Sequence, residues 1–188
     1  MPDGFASGRG ADVLNLPNAI TFARLCAVPV AVWLALRNQL ASCFIVFAAA
    51  GVSDAVDGWL ARRRGGSAIG AVLDPLADKA LLVSMFVVLA VVGVLPDWLA
   101  VLAVGRDALI VVALMIMWRL ARPVRMSPLA ISKLNTALQL LLISVALLLR
   151  GFRLEAEPLL TALIWLVAAT TLLSGAAYVW KAVQGRLR

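Results

Sequence analysis

Apolar residues along this chain fall into six blocks of about 20, each long enough to cross a ~30 Å hydrocarbon layer as a helix rising ~1.5 Å per residue. The blocks predict helices at roughly 19–36, 41–61, 74–95, 97–118, 129–149 and 158–180. Polar punctuation separates them. Pro17-Asn18 precedes the first, and Arg62-Arg63-Arg64-Gly65-Gly66 follows the second. Asp74-Pro75 has the form of a cap with a first-turn proline, and Pro96, Pro128 and Pro158 stand near later starts. The expected fold is an all-α integral membrane bundle of six transmembrane helices. Residues 1–15, polar and glycine-bearing, read as a short cytoplasmic tail, and 16–188 as one six-helix catalytic domain.

Composition agrees with the pattern. Of 188 residues, 63% are hydrophobic and 14% charged, against about 45–50% and about 25% in soluble domains. Basic residues exceed acidic ones by seven, which favours anionic lipids or anionic substrates at a membrane surface rather than nucleic acid. Histidine is absent, so every mechanism built on an imidazole is excluded, His-ligated zinc and Ser-His triads included. Cys26 and Cys43 lie in apolar segments at no metal-ligand spacing and read as packing residues.

The basic residues also set an orientation. Arg9, Arg62, Arg63, Arg64, Arg119, Arg122, Arg125, Lys133, Lys181, Arg186 and Arg188 gather at one side of the expected bundle, and only Arg37, Arg150 and Arg153 at the other. Both termini are therefore expected in the cytoplasm, as an even number of spans requires.

Five of the ten acidic residues, Asp54, Asp57, Asp74, Asp78 and Asp107, sit within or at the ends of apolar blocks. A charged side chain in mid-membrane costs about 2.5–3.5 kcal/mol on insertion scales, so such a cluster needs compensation. Asp54 and Asp57 are i,i+3 and Asp74 and Asp78 are i,i+4, spacings that share a helix face. A short basic loop would make the second and third helices antiparallel neighbours and bring both pairs to one pocket. Oxygen ligation of one or two hard divalent ions, Mg²⁺ or Mn²⁺, would then relieve the repulsion. Pairing to Arg62, Arg24 or Arg106, or a cation relay in a small transporter, are the other readings of the same carboxylates. Gly58 and Ala61 keep the surface beside Asp57 small enough for a planar group to approach, and Arg62, one turn beyond Gly58, can meet an anion.

The string Asp54-x2-Asp57-Gly58-x2-Ala61-Arg62-x7-Gly70-x3-Asp74-x3-Asp78 resembles the signature of the CDP-alcohol phosphatidyltransferases, with eight fixed residues in 25 positions. The resemblance implies a six-helix membrane fold, a homodimer, and a site for two divalent cations that opens to the cytoplasm. It implies that Asp54, Asp57, Asp74 and Asp78 bind the metals and that Asp78 doubles as general base. Asp57, Gly58, Ala61, Arg62 and Gly70 would hold the cytidine diphosphate moiety.

Outside the signature, the chain is similar to the branch of that family that forms cardiolipin and releases CMP. The residues concerned are Asn15-Leu16-Pro17-Asn18-Ala19-Ile20-Thr21 with Arg24, Leu73 to Lys79, Gly105-Arg106-Asp107, and Ile131 to Gln139. The substrates implied are CDP-diacylglycerol and phosphatidylglycerol, and the expected location is a bacterial inner membrane. The opening segment and the Asp-Pro-x-Ala-Asp-Lys run are shared with phosphatidylglycerophosphate synthases, which keeps glycerol 3-phosphate open as the acceptor. Arg24, Arg106 and Lys133 are the candidates to hold an acceptor phosphate, against plainer roles as ion-pair partners or snorkelling cations.

Overall fold

A computed structural model describes the backbone over residues 16–64, 70–119 and 130–184, and side chains over 24–53, 78–112, 131–178 and at 180. All the described regular structure is helical: α1 Leu16–Leu36, α2 Leu40–Arg64, α3 Gly70–Val91, α4 Asp97–Arg119, α5 Ala130–Gly151 and α6 Glu157–Gln184. Each expected span is thus met by one helix. The expected tail, residues 1–15, lies outside the described residues.

Three connections are fully described, and each is closed by a left-handed residue: Asn38 (φ 58°), Gly93 (φ 75°) and Arg153 (φ 55°). At the first, the Gln39 amide donates to the Leu34 carbonyl and the Asn38 amide to Ala35. At the second, Val94 donates to Leu89 and Gly93 to Ala90. The third has Leu154 donating to Leu149. These bonds reach back over the last helical turn and satisfy carbonyls that a helix end would otherwise leave exposed. Asp97 and Glu157 then open α4 and α6 with acidic first turns, which complement the positive end of the helix dipole.

The helices form a closed ring in the order α1, α2, α5, α6, α4, α3, with α3 also touching α5 across the middle. The core runs through Ala31 and Ala35 of α1, Cys43 of α2, Met85, Phe86 and Leu89 of α3, Leu142, Ile143 and Leu147 of α5, and Val167 of α6. Backbones come close where α5 ends on α2. A Cβ on Gly151 would stand 2.6 Å from the amide nitrogen of Ala41. The outer surface is apolar, with Trp33, Ile45, Val52, Val101, Trp165, Leu172 and Leu173 all exposed. Among the described residues, Ile131–Gly151 and Glu157–Tyr178 are long and apolar enough to cross a membrane.

One sequence expectation needs correction. Asp74-Pro75 does not open the third helix, because α3 begins at Gly70. Ala71, Val72 and Leu73 extend it backwards, and Pro75 in the second turn forgoes a single bond to the Ala71 carbonyl. Asp74 and Asp78 consequently lie on successive turns of one regular helix. Whether the two carboxylate pairs meet falls outside the described residues, which leave out the side chains of Asp54, Asp57 and Asp74. Among the described residues, α2 and α3 make no direct packing contact; both pack on α1. Residues 65–69 can extend about 20 Å at ~3.3–3.6 Å per residue, twice the 8–10 Å between packed helix axes. A short loop therefore does not force adjacency.

Candidate active site

Helices alternate in direction, so the starts of α1, α3 and α5 and the ends of α2, α4 and α6 share one end of the ring. The signature lies there. Asp54, Asp57, Gly58, Ala61 and Arg62 occupy the second half of α2, and Gly70, Asp74 and Asp78 the first three turns of α3. The side chains of Asp54, Asp57, Ala61, Arg62 and Asp74, and the surroundings of Gly58 and Gly70, lie outside the described residues. α1 packs on both signature helices and presents Arg24 between the ring's polar residues.

Arg24 is buried on α1, and its Nη1 donates to Asp78 Oδ1 at 2.6 Å; the carboxylate side chain is 44% exposed. A buried guanidinium requires such a partner, since stranding one buried charge costs about 3–5 kcal/mol. The short distance is that of a charge-assisted hydrogen bond. Arg24, a candidate for an acceptor phosphate in the sequence, is thus brought to the last carboxylate of the signature.

Next to Asp78 the chain turns to a second cluster. Lys79 Nζ lies 3.5 Å from Asp107 Oδ2 on α4, and Arg106 Nη1 donates to Asp107 Oδ1 at 2.7 Å. Arg106 Nη2 donates to Ser132 Oγ on α5 and Ser174 Oγ on α6, both at 2.6 Å. The guanidinium also lies 5.9 Å from the Tyr178 ring centroid, within cation–π range. A polar belt therefore crosses the bundle at one level, from Arg24 and Asp78 through Lys79 and Asp107 to Arg106 and the α5 and α6 hydroxyls. Arg106 is buried, and its Nε has no hydrogen-bond partner among the described residues.

Deeper along α5 the polar face continues. Asn135 Oδ1 accepts from Thr170 and Thr171, each at 2.9 Å. Asn135 Nδ2 and Gln139 Nε2 are buried without partners among the described residues. An unsatisfied buried donor costs about 1–3 kcal/mol, so these groups mark positions where water or a ligand oxygen is expected.

The third candidate cation, Lys133, is exposed on α5 and is not among the partners of Arg106. Ser132 and Asn135 face inward instead, because one residue turns a helix by about 100°. Sequence reasoning did not single out Lys79, Ser174 or Tyr178 as site residues. The α6 residues left a signal, since Thr170, Ser174 and Tyr178 recur every four residues in an otherwise apolar helix. Asp107 stands in the sequence as a carboxylate within an apolar block, and its pairing with Arg106, the plainer of the two readings of that arginine, is present in the structure.

Comparison with known proteins agrees with the signature. The CDP-alcohol phosphatidyltransferase family model matches residues 14–173. The chain is 36% identical over 89% of its length to the cardiolipin synthase (CMP-forming)/mitochondrial hydrolase fusion protein of Schizosaccharomyces pombe, covering 31% of it. It is 36% identical over 93% of its length to the chloroplastic CDP-diacylglycerol–glycerol-3-phosphate 3-phosphatidyltransferase 1 of Oryza sativa subsp. japonica, covering 59% of it. It is 30% identical over 84% of its length to the cardiolipin synthase (CMP-forming) of Rattus norvegicus, covering 57% of it. The chain thus spans between about a third and three fifths of these relatives. With an intact signature at one end of a six-helix ring and a family match over nearly all its helices, the chain belongs to the CDP-alcohol phosphatidyltransferase family.

Proposed function

We propose that this protein transfers the phosphatidyl group of CDP-diacylglycerol to phosphatidylglycerol, forming cardiolipin and releasing CMP. The observation that carries this reading is the complete signature, Asp54 to Asp78, within the family match over residues 14–173. Relatives named as cardiolipin synthases in Schizosaccharomyces pombe and Rattus norvegicus support phosphatidylglycerol as acceptor.

Asp54, Asp57, Asp74 and Asp78 would hold two divalent cations, Mg²⁺ or Mn²⁺. An all-oxygen donor set, spaced i,i+3 and i,i+4 on two helices that both pack on α1, fits hard ions of that kind. When bound, such ions offset charge on the phosphoryl oxygens of an in-line displacement. The chain's own residues do the rest. Asp78, oriented by Arg24, takes the proton of the acceptor hydroxyl as its oxygen bonds to the lipid-bearing phosphorus and the bond from that phosphorus to CMP breaks. Asp57, Gly58, Ala61, Arg62 and Gly70 hold the cytidine diphosphate moiety, and Arg106 holds the acceptor phosphate. Positioning and charge carry a step of this type, and no covalent enzyme intermediate is needed.

The same proposal places all six helices across the membrane, with both termini and the carboxylate end in the cytoplasm of a bacterial inner membrane, and a homodimer as the working unit. The exposed apolar exterior and the basic residues gathered at the carboxylate end support it. A second reading has glycerol 3-phosphate as acceptor, favoured by the similarity to the rice phosphatidyltransferase. Mass spectrometry of the lipid products decides between them: protein in liposomes with Mn²⁺ and CDP-diacylglycerol is offered each acceptor separately. Cardiolipin from phosphatidylglycerol is the expected product, and phosphatidylglycerophosphate alone would establish the second reading.

A further inference from the structure

We infer that Asp107 is a specificity-determining residue: it trims the charge of the acceptor site so that a phosphodiester monoanion is taken in preference to a phosphomonoester dianion. The inference rests on the proposed acceptor site at Arg106 and deepens it. Asp107 contacts both neighbouring cations, Arg106 through Oδ1 at 2.7 Å and Lys79 through Oδ2 at 3.5 Å. Within this described cluster, two cations against one carboxylate leave a formal excess of one positive charge. The other described partners of Arg106, Ser132, Ser174 and the Tyr178 ring, are neutral.

One positive charge matches the single negative charge of a phosphodiester such as phosphatidylglycerol. A free phosphomonoester such as glycerol 3-phosphate carries close to two at neutral pH. Solvent blurs the difference little at Arg106 and Asp107, whose side chains are 5% and 14% exposed, and more at Lys79, which is 43% exposed. Geometry acts in the same direction. Asp107 takes one Nη1 hydrogen and the two serines take those of Nη2, which leaves Nε–H and the second Nη1–H on different edges of the guanidinium. A bidentate fork, the arrangement that favours a dianionic phosphate, is not on offer.

The test compares the KM for phosphatidylglycerol with the inhibition constant of glycerol 3-phosphate, using CMP release by the full chain in liposomes with Mn²⁺. Asp107→Asn adds one positive charge to this cluster and is expected to lower the inhibition constant at least about tenfold relative to that KM, the scale of one added charge about 12 Å from the anion at an effective dielectric near 20. Asp107→Glu keeps the charge and is expected to keep the wild-type ratio. An unchanged ratio in Asp107→Asn, or an equal shift in Asp107→Glu, overturns the inference. If Asp107→Asn does not fold, Lys79→Gln reads the same quantity in reverse. Loss of that partly exposed positive charge is expected to weaken glycerol 3-phosphate about two- to fivefold more than phosphatidylglycerol, and equal weakening overturns the inference. The underlying acceptor reading fails separately, and visibly, if the wild-type protein makes product from glycerol 3-phosphate and none from phosphatidylglycerol.

Discussion

The two ends of the helical ring solve opposite problems. At the end holding the three described turns, local backbone geometry closes the chain: Asn38, Gly93 and Arg153 adopt left-handed conformations and the carbonyls of the last turns are satisfied. Phe44 meets Phe152 edge-on at 6.2 Å, and the charges there pair at the surface, as in Arg150 with Glu157 at 2.7 Å. At the other end, charges are taken inside. Arg24 and Arg106 are buried, each held to a carboxylate, and the belt they form joins α1, α3, α4, α5 and α6. Buried charges are a costly way to hold helices together, since apolar residues of similar size pack as well or better. The contrast teaches that the first end is built for stability and that the second bears a cost that the proposed binding and chemistry would account for.

Substitutions at the two ends should therefore differ in kind. The largest effect is expected from Asp54→Asn, which should lower CMP release by at least about a thousandfold while membrane insertion and thermal stability in detergent stay close to wild type. Arg106→Met comes next. It should reduce phosphatidylglycerol-dependent turnover by about a hundredfold, with the KM for CDP-diacylglycerol little changed, in line with truncating a buried charged contact. At the opposite end the readout changes from activity to stability. Gly151→Ala forces a Cβ against the Ala41 backbone and should cost about 1–3 kcal/mol of unfolding free energy, measured by denaturant titration in detergent. Glu157→Gln is expected to cost at most about 0.5–1 kcal/mol, because the Arg150 and Glu157 side chains are 44% and 62% exposed and water screens their pairing. A large loss of turnover from either of the last two would break the division between the ends.

Much of this division was legible in the sequence, and the reasons for the rest are physical. Apolar runs located all six helices, because a helix that covers a core or faces lipid must be apolar over its length. The carboxylate spacing marks the end proposed for the chemistry, because charge in an apolar block is rare without a task. Ring order was not legible. A loop such as 65–69 limits distance without choosing a neighbour, so α1 standing between α2 and α3 in the packing had to come from the structure. The acceptor candidates show the same limit on a smaller scale. Lys133 and Ser132 are adjacent in sequence, yet only Ser132 reaches Arg106, because the inward face of α5 is fixed by Asn135, Gln139 and Leu142 packing inside. Ser174 meets Arg106 from 68 residues away, a pairing that no local pattern encodes.

The most direct test of the account is CMP release from CDP-diacylglycerol by the purified chain in liposomes, followed with and without Mn²⁺ and with and without phosphatidylglycerol, beside Asp78→Asn. The account predicts release that requires both the ion and the acceptor and is lost in Asp78→Asn. Release that persists without the ion, or that survives in Asp78→Asn at the wild-type rate, would contradict it.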